Sequence, residues 1–115
     1  MDYSKYLPHI DVNCGTARVM NNINLYKTLL KKFKGREMTD ELLEAIKAGD
    51  SKKVIHVSHA LQGTAGNLSL PALQKITSEI ETIAKSGNDY SHLAQELDDT
   101  MNELYKNIDE FTDYP

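Results

Sequence analysis

Apolar residues recur at intervals of three and four along this chain, and nothing in it reads as a strand. Leu73, Ile76, Ile80 and Ile83 form one such series; Leu93, Leu97, Met101, Leu104, Ile108 and Phe111 form a longer one. That spacing puts side chains on one face of a helix and does not fit a half-buried strand. Such stripes are buried by packing helix against helix. The 115 residues give room for one domain, and two phenylalanines with no tryptophan leave the core mostly aliphatic.

Punctuation between the stripes places the helices. Residues 1–10 read as a lead-in, with Pro8 interrupting any helix there. Asp11 caps a short helix over Val12–Met20. A second segment carries Ile23, Tyr26, Leu29, Leu30 and Phe33, ends in Lys31, Lys32 and Lys34, and stops at Gly35. Thr39 opens the next, with Asp40 and Glu41 in its first turn, Leu42, Leu43 and Ile46 as its stripe, and Gly49 as its stop. Asp50 caps a helix running to about Leu68. Ser69 caps another, with Pro71 in its first turn and Gly87 as its end, and Asn88 or Asp89 starts the last. The connections at 66–70 and 86–89 are short, so the last three helices are neighbours. The expected fold is all-α: an antiparallel four-helix bundle with a short additional N-terminal helix, residues 11–112 forming the domain.

Charge and cysteine usage narrow the function. Thirteen basic and seventeen acidic residues give −4 with no basic block, which argues against nucleic acid as the partner. One cysteine, Cys14, excludes an internal disulfide framework and fits a reducing compartment. No run approaches the ~18 apolar residues of a membrane span, and the N-terminus has no signal-peptide pattern, so a cytoplasmic location is expected.

The stretch 53–70, KVIHVSHALQGTAGNLSL, is the informative one. On a helix, Val54, Val57, Leu61, Ala65 and Leu68 share one stripe, and His59 falls about 160° from its centre. Ile55, Gly63 and Gly66 lie on the same outward face as His59. An exposed glycine inside a helix costs about 0.5–1 kcal/mol relative to alanine, and here there are two. Bare backbone on one side of an imidazole and an apolar residue on the other fit close approach by something bulky, such as a phosphorylated protein domain.

The run His59-Ala60-Leu61-Gln62-Gly63-Thr64-Ala65-Gly66-Asn67-Leu68 resembles the signature of histidine-containing phosphotransfer (HPt) domains, roughly H-x-L-K-G-[ST]-[AS]-x-x-L-G. Ile10-Asp11, the Tyr26/Leu29/Phe33 spacing and the Leu73…Glu81 segment extend the similarity over nearly the whole chain. The resemblance implies that His59 accepts a phosphoryl group from an aspartyl phosphate on a receiver domain and passes it to a second receiver. That makes the chain a phosphohistidine carrier rather than an autonomous catalyst, with a hybrid sensor histidine kinase as a further partner. Neutral exposed imidazole is nucleophilic near neutral pH, and Nε2 is the expected site. The chain's acidic balance implies that the receiver brings the Mg²⁺ and most of the positive charge, with no cofactor bound here.

Two positions depart from the pattern. Gln62 stands where the family usually has lysine; it can donate a hydrogen bond to phosphoryl oxygens but cannot neutralise them. Ser69 stands where glycine is common. Gln62 and Gly63 are assigned to the phosphoryl site, and Ile55, His56, Gly66, Asn67 and Leu70 to receiver contact. A docking module of the same fold that takes no phosphate is the alternative reading, kept open by Gln62. His56 and His59 also stand at i, i+3, but a metal site needs a third ligand that the sequence does not supply. A hydrolytic bundle would need carboxylates inside, where the stripes are apolar. Cys14 reads as a small semi-buried residue, Met20, Met38 and Met101 as packing residues, and Glu96, Asp98, Asp99 and Glu103 as a solvated face. A monomer is expected, because exposed apolar residues are few.

Overall fold

Six α-helices follow one another in the computed structural model, which describes residues 2–113: α1 (Val12–Arg18), α2 (Ile23–Lys31), α3 (Gly35–Ala48), α4 (Ser51–Asn67), α5 (Pro71–Lys85) and α6 (Ala94–Thr112). One-turn 3-10 helices occur at Ser4–Tyr6 and Ser91–Leu93, and the described residues contain no strand. Helix α3 packs on α4, α4 on α5, α5 on α6, and α6 back on α3, with α2 against α6. The result is a rod of 44 × 22 × 21 Å.

The apolar stripes face inward as their spacing requires. Val54, Val57, Leu61 and Ala65 of α4 meet Leu73, Ile76 and Ile80 of α5, and Leu97, Met101, Leu104, Ile108 and Phe111 of α6 complete the core. The ten-residue lead-in joins them: Tyr6 and Ile10 are buried, and the Tyr6 ring meets Phe111 edge-on. The backbone carbonyl of Pro8 also accepts from the Ala72 N–H at 2.9 Å, satisfying one free amide in the first turn of α5.

Helix ends follow local chemistry where a side chain sits next to the end it caps. Asp11 accepts from the Cys14 N–H, Asn22 from Leu25 and Asp50 from Lys53. Gly49 and Gly87 take the left-handed conformation and close α3 and α5. Asp89 accepts from the Ser91 N–H, so the chain enters the 3-10 turn before α6 begins at Ala94.

Several expected ends are displaced, each for a physical reason. Helix α1 stops at Arg18 because Met20 and Asn21 both take positive φ; Met20, expected to pack, is 91% exposed. Helix α2 ends at Lys31, and Gly35 opens α3 rather than merely closing α2. The Phe33 ring lies where a Cβ on Gly35 would be, so only glycine fits the turn. The Tyr105 hydroxyl on α6 accepts from the Arg36 N–H at 2.9 Å and donates to the Phe33 carbonyl at 3.1 Å, capping α3 from a distance. Thr39, expected as its cap, is buried within the helix. On α6, Asp98 is drawn from the solvated face into a 3.3 Å ion pair with Arg36.

The α4–α5 turn differs most. Ser69 was expected to cap α5, but it takes φ 57°, and its side chain donates to Cys14 Sγ instead. The Leu70 N–H donates to the Ala65 carbonyl and the Ser69 N–H to Gly66, which is the hydrogen-bond pattern of a Schellman ending with serine in the glycine position. That ending packs the following residue against the last turn, so Leu70 is fully buried. Cys14, expected semi-buried, is exposed beside this turn.

Candidate functional site

Helices α4 and α5 form a hairpin, and residues equidistant from its turn face one another. His59 and Glu81 are equidistant from Leu70. His59 Nδ1 lies 2.9 Å from Glu81 Oε2, while 73% of the His59 side chain stays exposed. Glu81 is only 10% exposed, and the same oxygen also pairs with Lys85 Nζ at 3.0 Å. Burial alone would raise the Glu81 carboxyl, but the Lys85 ammonium, with His59, outweighs it and holds the group below the ordinary carboxyl range.

An ionised carboxylate only accepts hydrogen bonds, so Nδ1 is the donor. In the neutral ring that assignment leaves the lone pair on Nε2. The ring is therefore both accessible to water and fixed in one tautomer, with its nucleophilic nitrogen away from the carboxylate.

Around it runs an open groove of about 310 Å³ lined by Lys52, Ile55, His56, His59, Glu81 and Lys85. The groove is basic despite the chain's acidic balance: two lysines and two histidines face one carboxylate. The acidic balance of the whole chain therefore does not extend to this groove. Net charge is a sum over the whole surface, and the acidic residues of α6 lie outside this groove.

Other residues singled out in the sequence divide. His56 is exposed in the groove, and Asn67 is exposed at the end of α4. Ile55 is half-buried and packs against the core edge, so it is not the purely external residue its helical position implied. Gln62 is half-buried on the next turn of α4. Leu70 has no exposed surface with which to meet a partner. The two glycines differ: a Cβ on Gly63 would meet nothing within 4 Å, whereas one on Gly66 would lie 3.0 Å from Gln74 Nε2. Gly63 leaves bare backbone beside the imidazole, and Gly66 accommodates a side chain of α5. Among the described residues no group of three or more His, Cys, Asp or Glu could hold a metal ion.

Glu81 and Lys85 were not singled out from the sequence. Their i, i+4 spacing signals an ion pair on one helix face, but only the hairpin register brings that pair to His59.

Fold and site together define a helical module built around one oriented surface histidine. The Hpt domain model matches residues 34–110, more than half of the chain, and the chain belongs to that family of histidine-containing phosphotransfer modules of phosphorelays. Such domains interact with receiver domains of two-component systems. No curated protein and no solved structure matches the chain. Among the described residues no helix is long and apolar enough to cross a membrane.

Proposed function

We propose that this chain is a phosphorelay carrier, an antiparallel four-helix bundle whose His59 takes a phosphoryl group from a receiver-domain aspartyl phosphate and delivers it to another receiver. The observation that carries this reading is the His59–Glu81 contact, which leaves Nε2 unprotonated on an exposed ring. Nε2 attacks phosphorus in line; the Nε2–P bond forms as the bond from phosphorus to the aspartyl oxygen breaks, and that electron pair leaves with the aspartate. The ring, still protonated at Nδ1, becomes cationic, and the Glu81 carboxylate stabilises that developing charge. Delivery to the second receiver reverses these bond changes.

The chain supplies an oriented nucleophile, and the receiver supplies Mg²⁺ at the phosphoryl oxygens. Gly63 gives the receiver room beside the ring, and Ile55, His56 and Asn67 offer it contacts. A cytoplasmic monomer fits this role.

Mixing the protein with a phosphorylated receiver and Mg²⁺ tests the reading. Acid-labile, base-stable label moves to the chain and is absent in His59→Gln. Full labelling of that variant overturns the assignment, and receiver binding without any labelling identifies a docking module instead.

A further inference from the structure

Loading His59 adds the negative charge of a phosphoryl group across the ring from the Glu81 carboxylate. Like charges this close disfavour the loaded state unless a cation joins them. Gln62, on the adjoining turn of α4, carries no charge. Besides His56, the basic side chains lining the His59 groove are Lys52 and Lys85, and Lys85 is the one already tied to the imidazole through a shared carboxylate oxygen.

We infer that Lys85 is the charge partner of phosphorylated His59: its ammonium rests on Glu81 Oε2 while the histidine is empty and moves to the phosphoryl oxygens when it is loaded. This rests on the reading of His59 as the acceptor. Counting charges supports the exchange. In the empty site a neutral ring donates to Glu81, and Lys85 neutralises the carboxylate. In the loaded site the ring itself is cationic and neutralises Glu81, which releases the ammonium for the new dianion. The lysine can make the move because its side chain is 60% exposed, so its flexible stem carries the ammonium through solvent from one acceptor to the other. Lys52, two turns before His59 on α4, adds a second positive charge at the far end of the groove.

Phosphoramidate tests this without a receiver: the Nε2–P bond forms as the donor's P–N bond breaks, and ammonia departs. The ³¹P resonance of the loaded protein is then titrated with pH in wild type, Lys85→Gln, Lys85→Arg and the double variant Lys85→Gln/Gln62→Lys. A nearby cation disfavours every proton on the loaded group, whether on the ring or on the phosphoryl oxygens, so wild type loses its last proton at the lower pH. Removing the ammonium raises proton affinity about three- to fivefold, from the Coulomb interaction of charges ~4 Å apart in water. Lys85→Arg retains the wild-type titration, and Gln62→Lys restores part of it in the double variant. The other charged or ionisable groups lining the groove, His56, Lys52 and Glu81, are common to all four proteins. A Lys85→Gln titration identical to wild type overturns the inference while label on His59 still supports the carrier. If wild type takes no label at His59 from phosphoramidate or a phosphorylated receiver, the carrier reading falls and this inference with it.

Discussion

His59 and Glu81, on opposite arms of one hairpin, meet at 2.9 Å through Nδ1 and Oε2, so a nearly buried carboxylate sets the tautomer of a largely exposed ring. The relationship makes Glu81 a positioning residue for the nucleophile. Glu81→Gln keeps the side chain's shape but loses the charge that stabilises the cationic ring. Loading from a phosphorylated receiver should slow by about tenfold, the effect of one charge-assisted hydrogen bond of ~1.4 kcal/mol. Rapid-quench labelling measures it, and an unchanged rate removes Glu81 from the mechanism.

Acid sensitivity follows from the same carboxylate. Its folded-state value is held below the ordinary 4.5 by Lys85 and His59 against the opposing effect of burial. A depressed carboxyl contributes stability above its unfolded value, and that contribution is lost as pH falls through the folded value. Urea midpoints of wild type should therefore drop between about pH 4.5 and the lower folded value. Glu81→Gln lacks this component, so the gap between the two proteins narrows as pH falls. A gap that stays constant from pH 7 to pH 3 contradicts it.

The two glycines of α4 predict different outcomes. Gly63→Ala adds a methyl to open space and should stabilise the protein by about 0.5–1 kcal/mol. Gly66→Ala must displace the Gln74 amide and should gain less. Gly63→Leu should fold normally and load from phosphoramidate, yet transfer poorly from a receiver, because only the larger donor needs the bare backbone. Equal loss with both donors would show that Gly63 serves the ring itself.

Much of this architecture was legible in the sequence, for reasons visible in particular residues. Asp11 and Asp50 cap helices whose free amides lie three residues on, and Val54, Val57 and Leu61 share one face by period alone. Gly49 and Gly87 mark helix ends through their own backbone freedom. What escaped depends on residues distant in the chain. The start of α3 is set by Tyr105 from α6, and Glu81 reaches His59 only through the register of the α4–α5 turn. Ser69 misled because serine is a common N-cap, whereas here the left-handed backbone after α4 governs it. Leu70 was assigned to receiver contact as part of the 66–70 turn, and the Schellman ending turns it inward.

That turn carries a stability prediction in both directions. Ser69 holds φ 57°, a conformation that costs a residue with a Cβ about 1 kcal/mol relative to glycine. Ser69→Gly should stabilise by less than that, because it also removes the hydrogen bond to Cys14 Sγ. Leu70→Ala, in contrast, empties a fully buried site and should cost about 2–5 kcal/mol. Its direct effect on phosphotransfer should be nil once the folded fraction is accounted for, since Leu70 has no surface to offer a receiver. Chemical denaturation gives the stabilities, and labelling rates normalised to folded protein separate packing from contact. A Leu70→Ala protein that folds as stably as wild type but no longer binds receivers would place this residue on the surface after all.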